Sequence, residues 1–342
     1  MKGLETAGSP HWAPPTSIRG VMLHVLLALI PGVLAHWYFF GIGILIQIIL
    51  AVSFALFFEA LALKIRGRDM RLFLTDLSAP LTAVLFALCL PPMLPWWASM
   101  TGMFFAIIVA KHLYGGLGHN PFNPAMVGYA VVLISFPVHA THWLAPAGIA
   151  TYTPDFQDVV RAILFQIPPG DLTWDAISEA TPLDVIRTGA SQGIMIPEIR
   201  GDAIFGDFGG RGWEWIANCY ALGGLFLLWR KVITWHVPVA MILATIIASS
   251  PFWLANPDVH PAPLEHVFTG GLILGAFFIA TDPVSGCTTR RGKIIFGVGV
   301  GLLTLIIRRW GSFPDGVAFA VLLMNMAAPF IDRHVHPRTF GK

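Results

Sequence analysis

Apolar residues in this chain run in long blocks, without the 3.6- or 2-residue alternation of a half-buried helix or strand. A helix needs roughly 20 such residues to cross about 30 Å of hydrocarbon. Ten stretches approach that length: 21–39, 41–63, 80–94, 96–110, 125–143, 213–229, 236–254, 266–280, 293–307 and 315–331. Pro91-Pro92-Met93-Leu94-Pro95 separates the third from the fourth, and these two are the shortest and least sharply bounded. Prolines and glycines inside spans are compatible with this reading, because neighbouring helices satisfy the freed backbone groups. The pattern predicts an all-α polytopic membrane protein of ten transmembrane helices, with a long loop after the fifth.

Polar positions divide the rest. Segments 1–20 and 332–342 read as tails, 21–143 and 213–331 as two sets of five spans, and 144–212 as a loop. With the N-terminus in the cytoplasm, 15 of the 21 Lys and Arg fall on cytoplasmic segments, and the short exterior loops carry only Arg308 and Arg309. That bias orients the chain with both termini inside. The first 20 residues show no small-residue cleavage site after a short apolar core, so the first span is expected to serve as an uncleaved insertion signal. The loop holds 9 of the 19 acids and is predicted to carry helices over 155–167 and 182–188. A loop of that length in a compact protein is usually functional.

A faint internal likeness links the third span, from Ala79-Pro80-Leu81, with the eighth, from Gly270-Gly271-Leu272. Asn123-Pro124-Ala125 has a looser counterpart in Pro314-Asp315-Gly316. Two five-span repeats would be inverted and would place a site near the midplane. A chance likeness between apolar segments is the open alternative.

Composition narrows the class. Of 342 residues, 56% are hydrophobic and only 12% are Asp, Glu, Lys or Arg, about half the charged share of a soluble domain. Mean hydropathy is +0.70. Soluble, coiled-coil, collagen-like and disordered classes are excluded. Cys89, Cys219 and Cys287 form no C-x-x-C pair and supply neither a disulfide framework nor an iron–sulfur site by themselves. No His, Asp and Glu set has metal-ligand spacing. Gly297-x-Gly299-x-Gly301 lies inside a span, where helix packing explains it better than a dinucleotide site.

Three segments carry candidate chemistry. The first runs from Asp175 through Ser178, Glu179, Ala180, Thr181, Pro182 and Leu183 to Asp184. By spacing alone, Thr181 is a helix cap, Pro182 a first helical residue, and Thr181 with Asp184 a capping box. The second is Lys111-His112-Leu113-Tyr114-Gly115-Gly116-Leu117-Gly118-His119-Asn120-Pro121-Phe122-Asn123-Pro124-Ala125, which by itself reads as a tight turn between spans. No Gly-Lys-Ser/Thr follows it, so a nucleotide P-loop is unsupported. The third is Ala280-Thr281-Asp282-Pro283-Val284-Ser285, in which Asp282 reads as capping a turn with Thr281 and Ser285. Glu59 is expected to snorkel or pair with Lys64, and His24 and His36 to be hydrogen-bonded span residues. Trp96, Trp97, Trp143, Trp213 and Trp235 fit an interfacial belt, and Arg290, Arg291 and Lys293 fit topology anchors rather than a nucleic-acid patch.

Together these segments resemble the family that contains the D subunit of the Rnf complex and the B subunit of the sodium-pumping NADH:quinone reductase. Its flavinylation motif reads approximately D-x-x-S/T-G-A-T-x-L, and Asp175, Ser178, Ala180, Thr181 and Leu183 match position by position. Glu179 departs from the usual glycine. The resemblance implies FMN held by a phosphoester on Thr181. It implies a noncovalent riboflavin near Gly115, Gly116, Asn120 and Asn123. It further implies a bacterial inner-membrane subunit with loop 144–212 in the periplasm. Such a subunit carries electrons within a complex that couples ferredoxin:NAD redox chemistry to Na+ or H+ transport. Its implied partners are the A, B, C, E and G subunits, a flavin transferase during maturation, and membrane lipid, with no nucleic acid. The quinone-reductase B subunit usually has a longer polar N-terminal extension, which this chain lacks. That B subunit, a non-redox channel or transporter of two five-helix halves, and a purely structural anchor are the competing classes.

Overall fold

A computed structural model describes residues 17–169, 172–313 and 315–335. The expected tails, with Lys2, Arg338 and Lys342, lie wholly or mostly outside the described residues, as does Pro314. The described chain is predominantly helical, and a helix overlaps each of the ten apolar runs. We label the main ones α1 Ile18–Phe40, α2 Gly43–Ile65, α3 Ser78–Ala87, α4 Trp96–Phe104, α5 Pro124–Ser135, α6 Phe156–Phe165, α7 Pro182–Ser191, α8 Trp213–Trp229, α9 His236–Ala255, α10 Arg290–Trp310 and α11 Val317–His334. Among the described residues, α1, α2 and α9 are both long and apolar enough to cross a membrane, and α3 and α5 are shorter apolar helices.

Where the runs were expected to be continuous spans, three are broken. The third stops at Ala87 and continues as turns across Pro91-Pro92 to Pro95. The fifth stops at Ser135, before Pro137, and is followed by the short helix Pro137–Thr141. Proline disfavours the helical conformation in the residue before it, and Phe136 is accordingly non-helical, at φ −134° and ψ 55°. The eighth is divided at Gly270-Gly271 between Pro263–Phe268 and Leu272–Leu274, and it finishes as the π-helix Gly275–Ile279. A second π-helix, Phe105–His112, continues α4. Irregular backbone at such depth is stable only when packed against protein or a cavity, and these residues are mostly buried. Each of the two echoing segments has a left-handed residue at its start, Leu77 at φ 65° and Gly270 at φ 70°.

Small residues set the helix contacts. Gly223 of α8 lies against the Ala28 carbonyl of α1, where a Cβ would collide. On α10, Cβ atoms at Gly297 and Gly301 would approach the Val237 and Met241 carbonyls of α9 to 2.7 and 2.5 Å, and one at Gly299 would meet Met324 of α11. The Gly-x-Gly-x-Gly run is therefore a packing ridge. Ends are fixed by side chains: Ser17, Asp155, Thr181 and Thr289 cap α1, α6, α7 and α10, each such cap contributing about 1 kcal/mol.

In the loop, α6 and α7 occupy the two predicted helical stretches. A two-stranded antiparallel ribbon pairs Trp143 with Glu179 and Leu144 with Ser178. A satellite core of Ile196, Ile199, Ile204 and Phe205 packs with Val185 and Ile186 of α7. The loop is thus built onto the helical body.

Candidate functional site

Thr181 begins α7 because its extended backbone and short hydroxyl suit a helix cap, and Pro182 follows with φ pre-set. Its Oγ1 accepts from the Asp184 amide at 3.3 Å and donates to Asp184 Oδ2 at 2.6 Å. Burial pushes the Asp184 carboxyl above its ordinary pKa, partly offset by the Thr181 hydrogen bonds. Leu183 is buried against Gly270, and Pro182 against Gly210. The α7 N-terminus is therefore pinned to the entrance of the eighth helical region.

That position is the wall of a cavity of about 1000 Å³, counted with its opening to solvent. Thr181, Pro182, Leu183 and Asp184 line one side. Other lining residues include His36 of α1, Tyr129 of α5, Trp213 and Tyr220 of α8, Trp143 and Asp315. Aromatic rings form much of this wall. Trp143 and Trp213 meet edge to face at 4.8 Å between centroids, and Phe40 sits 4.9 Å from Trp213. Trp143 is only 9% exposed. These two tryptophans face inward, where a belt of interface anchors was expected; Trp235, 54% exposed, fits that belt better.

Asp315 closes the cavity from the α11 side. Its Oδ1 accepts from the Val317 amide and from Arg308 Nε and Nη2, and its Oδ2 accepts from the Gly271 amide at 2.7 Å. Arg308 is buried and also donates to the His266 and Thr269 carbonyls. Rather than marking a short exposed loop, Arg308 clamps the break in the eighth helical region.

A second cavity, of about 840 Å³, lies at the other end of the same helices. Val21, Met22 and Val25 of α1, Ser78, Leu81, Thr82 and Leu85 of α3, Lys111, Asn120, Asn123, Leu227, Phe277, Phe278 and Asp282 contribute to it. At 1.5 Å per residue, His36 is about 16 Å further along α1 than Val25. The Asn123 side chain caps α5 by accepting from the Ala125 and Met126 amides, and it donates to the Ile279 carbonyl. Its backbone amide donates to Asn325 Oδ1 at 3.0 Å. Asn120 is buried and its Oδ1 has no protein partner. Gly115 and Gly116, at φ 129° and 98°, turn the loop outside this cavity lining, with Arg68 donating to the Gly115 carbonyl.

Glu59 does not pair with Lys64. Five residues apart on a helix is about 140° of rotation, so Lys64 points elsewhere and is exposed. Glu59 is 1% exposed and takes Lys111 Nζ at 2.8 Å, with His112 Nε2 3.1 Å away; Lys111 also donates to Ser78 Oγ. Asp282 accepts from Ser285 Oγ at 2.6 Å and from the Val284 amide, as a turn cap does, whereas Thr281 donates back to the Phe277 carbonyl. His24 and His36 are hydrogen-bonded within the helical body, to the Gly20 carbonyl and to the Tyr220 hydroxyl respectively.

The chain matches the sequence profile of the NQR2, RnfD, RnfE family over residues 5–341. It belongs to that family. Within it, the chain is 49% identical over 331 residues to a protein of Aeromonas hydrophila, covering 94% of each. It is 49% identical over 339 residues to one of Shewanella denitrificans and 47% over 340 residues to one of Aliivibrio salmonicida, covering 97% of each chain in both cases. All three are named as the D subunit of an ion-translocating oxidoreductase complex.

Set on this family member's structure, the motif residues separate. Thr181 and Leu183 line the loop-side cavity, whereas Asp175, Ser178 and Ala180 are outside its lining. Asp175 and Ala180 are exposed, and Ser178 donates to the Trp174 carbonyl and pairs with Leu144. Of the second motif, Asn120 and Asn123 reach the opposite cavity and the two glycines do not. Sequence reasoning missed His36, Tyr129, Trp143, Trp213, Tyr220 and Asp315 as cavity residues. Polar side chains inside apolar runs were the available signal for His36 and Tyr220; for the tryptophans there was none beyond their position at run ends.

Proposed function

We propose that the chain is the D-type membrane subunit of an Rnf-type ion-translocating oxidoreductase complex, holding FMN through a phosphoester on Thr181. One observation carries the reading: the Thr181 hydroxyl stands at a cavity large enough for a flat aromatic ring and walled by Trp143, Trp213 and Tyr220. The residues present fit the group. Thr181 supplies the ester oxygen, and the N-terminus of the ten-residue α7 favours a phosphate there. Asp184 is the anion that a phosphate would displace. Bound there, FMN supplies one- and two-electron redox chemistry, and the chain's part is to hold, orient and shield it.

In this reading both termini are cytoplasmic, loop 144–212 faces the periplasm of a bacterial inner membrane, and ten spans form two inverted halves. A loop on that face gives a flavin transferase access to Thr181. The opposite cavity is the place for noncovalent riboflavin, with the unpartnered Asn120 Oδ1 as a free acceptor. The A, B, C, E and G subunits complete the complex. Electrons pass between ferredoxin and NAD with Na+ or H+ transport, and the catalytic reaction belongs to that assembly. The names of the near-full-length relatives favour this reading over a quinone-reductase B subunit or a solute channel.

The test is expression with a flavin transferase followed by a denaturing gel. A fluorescent band from the unmutated chain, absent from Thr181→Val, supports the reading. No band from the unmutated chain overturns it; a band that persists in Thr181→Val moves the attachment site.

A further inference from the structure

Besides Thr181, the loop-side cavity holds a polar group that the fold has gone to some length to orient. His36 is 2% exposed, yet its ring is part of the cavity wall. Its Nδ1 lies 3.0 Å from the Tyr220 hydroxyl, and its Nε2 has no protein partner. The orientation is built from sequence. Gly32 stands four residues before His36, one helical turn away on the same face of α1. The Tyr220 ring fills the notch left by that missing side chain, where a Cβ would overlap the ring. Tyr220 is 3% exposed and also packs edge to face on Phe278, at 6.0 Å. Trp213, in T-shaped contact with the imidazole at 6.4 Å, and Phe40, at 5.9 Å, hold the other sides. A buried polar atom is normally hydrogen-bonded, and here one nitrogen is held while the other has no protein partner.

We propose that His36 Nε2 is the hydrogen-bonding contact for the planar ring of a flavin attached at Thr181, with Tyr220 as the residue that positions it. This rests on the reading of Thr181 as the flavin-bearing residue. The chemistry is that of a flat heteroaromatic ring with hydrogen-bonding atoms on its edge and apolar faces. Trp143, Trp213 and Tyr129 offer the apolar surface, and His36 the edge contact. In the tautomer that carries its proton on Nε2, the Tyr220 hydroxyl donates to Nδ1 and the ring N–H is the donor to a flavin acceptor. Reduction of a flavin adds electron density to those acceptors, so a donor stabilises the reduced form and raises the midpoint potential.

The experiment is a spectroelectrochemical titration of the full-length flavinylated chain in detergent, with a denaturing gel on the same sample. His36→Leu is expected to lower the midpoint potential, and Tyr220→Phe to lower it by less. Because Tyr220 acts through His36, the double variant should match His36→Leu instead of summing the two shifts. His36→Gln keeps an N–H donor and should recover part of the lost potential. Tyr220→Phe removes a single hydroxyl and keeps the ring in the Gly32 notch, so it reports even if His36→Leu does not fold. Unchanged potentials in the folded variants, with flavin fluorescence retained on the gel, overturn this inference and leave Thr181 standing. Absence of fluorescence from the unmutated chain overturns the Thr181 reading and this inference with it.

Discussion

The two cavities occupy opposite ends of the same helices and are made of different material. The one beside Thr181 sets the rings of His36, Tyr129, Trp143, Trp213 and Tyr220 among aliphatic side chains and keeps its acids, Asp184 and Asp315, hydrogen-bonded. The other is lined by aliphatic side chains and two rings, Phe277 and Phe278, together with Lys111, Asn120, Asn123 and Asp282, each of which is tied to a neighbour through at least one hydrogen bond. An aromatic wall offers area and little direction; a network of amides and charges offers direction and little freedom. The first suits a group delivered from outside and attached by a tether, and the second suits a molecule recognised by its own edges.

Breaking the tether has the largest expected effect. Thr181→Val should abolish covalent flavin, read as in-gel fluorescence, while extractable noncovalent flavin stays at its unmutated level. Losing both together would mean that the two cavities are not independent. The next effect belongs to the opposite cavity. Lys111→Met leaves Glu59 as a buried, under-compensated carboxylate, and breaking such pairs costs about 3–5 kcal/mol. Thermal unfolding in detergent should show a large fall, and Glu59→Gln added to Lys111→Met should restore much of it. A loss below about 0.5 kcal/mol would show that the ion pair does not support that wall.

Smaller changes refine the contrast. Asn123→Ala removes the α5 cap and the link to the Ile279 carbonyl, for about 1–2 kcal/mol, and should weaken noncovalent flavin while sparing the fluorescent band. The smallest change concerns Asp184. Its folded pKa is raised by burial, so its stabilising contribution is full below the ordinary carboxylate range and is lost as pH rises through the raised value. Asp184→Asn should flatten that part of the difference in stability-versus-pH curves. Identical curves for the two proteins would remove Asp184 from the account.

How far the sequence alone reached can be judged at particular residues. The run 213–229 became a helix with those bounds because Gly212 precedes it and a basic pair follows. Hydropathy located the third, fifth and eighth runs equally well but was silent on continuity, since a buried turn at Pro91-Pro92 or Gly270-Gly271 is as apolar as a buried helix. The Thr181 cap was legible because its partner is three residues away. The Glu59–Lys111 pair was not, with 52 residues between them, and the His36–Tyr220 contact spans 184. Local spacing offered Lys64 for Glu59 and the membrane interface for Trp143. In both cases tertiary packing provided a different neighbour. The motif singled out Thr181; only the fold showed which side chains share its cavity.

The short ribbon between Trp143–Leu144 and Ser178–Glu179 has a mechanical consequence. Glu179 is fastened to Trp143, and Thr181 stands two residues beyond it. A fully extended chain advances about 3.6 Å per residue at most, so even with α7 released the Thr181 backbone could move no more than about 7 Å from the Glu179 anchor. The attachment point of a redox group esterified there would stay in place, and any travel of its ring would be limited to the reach of its own linker.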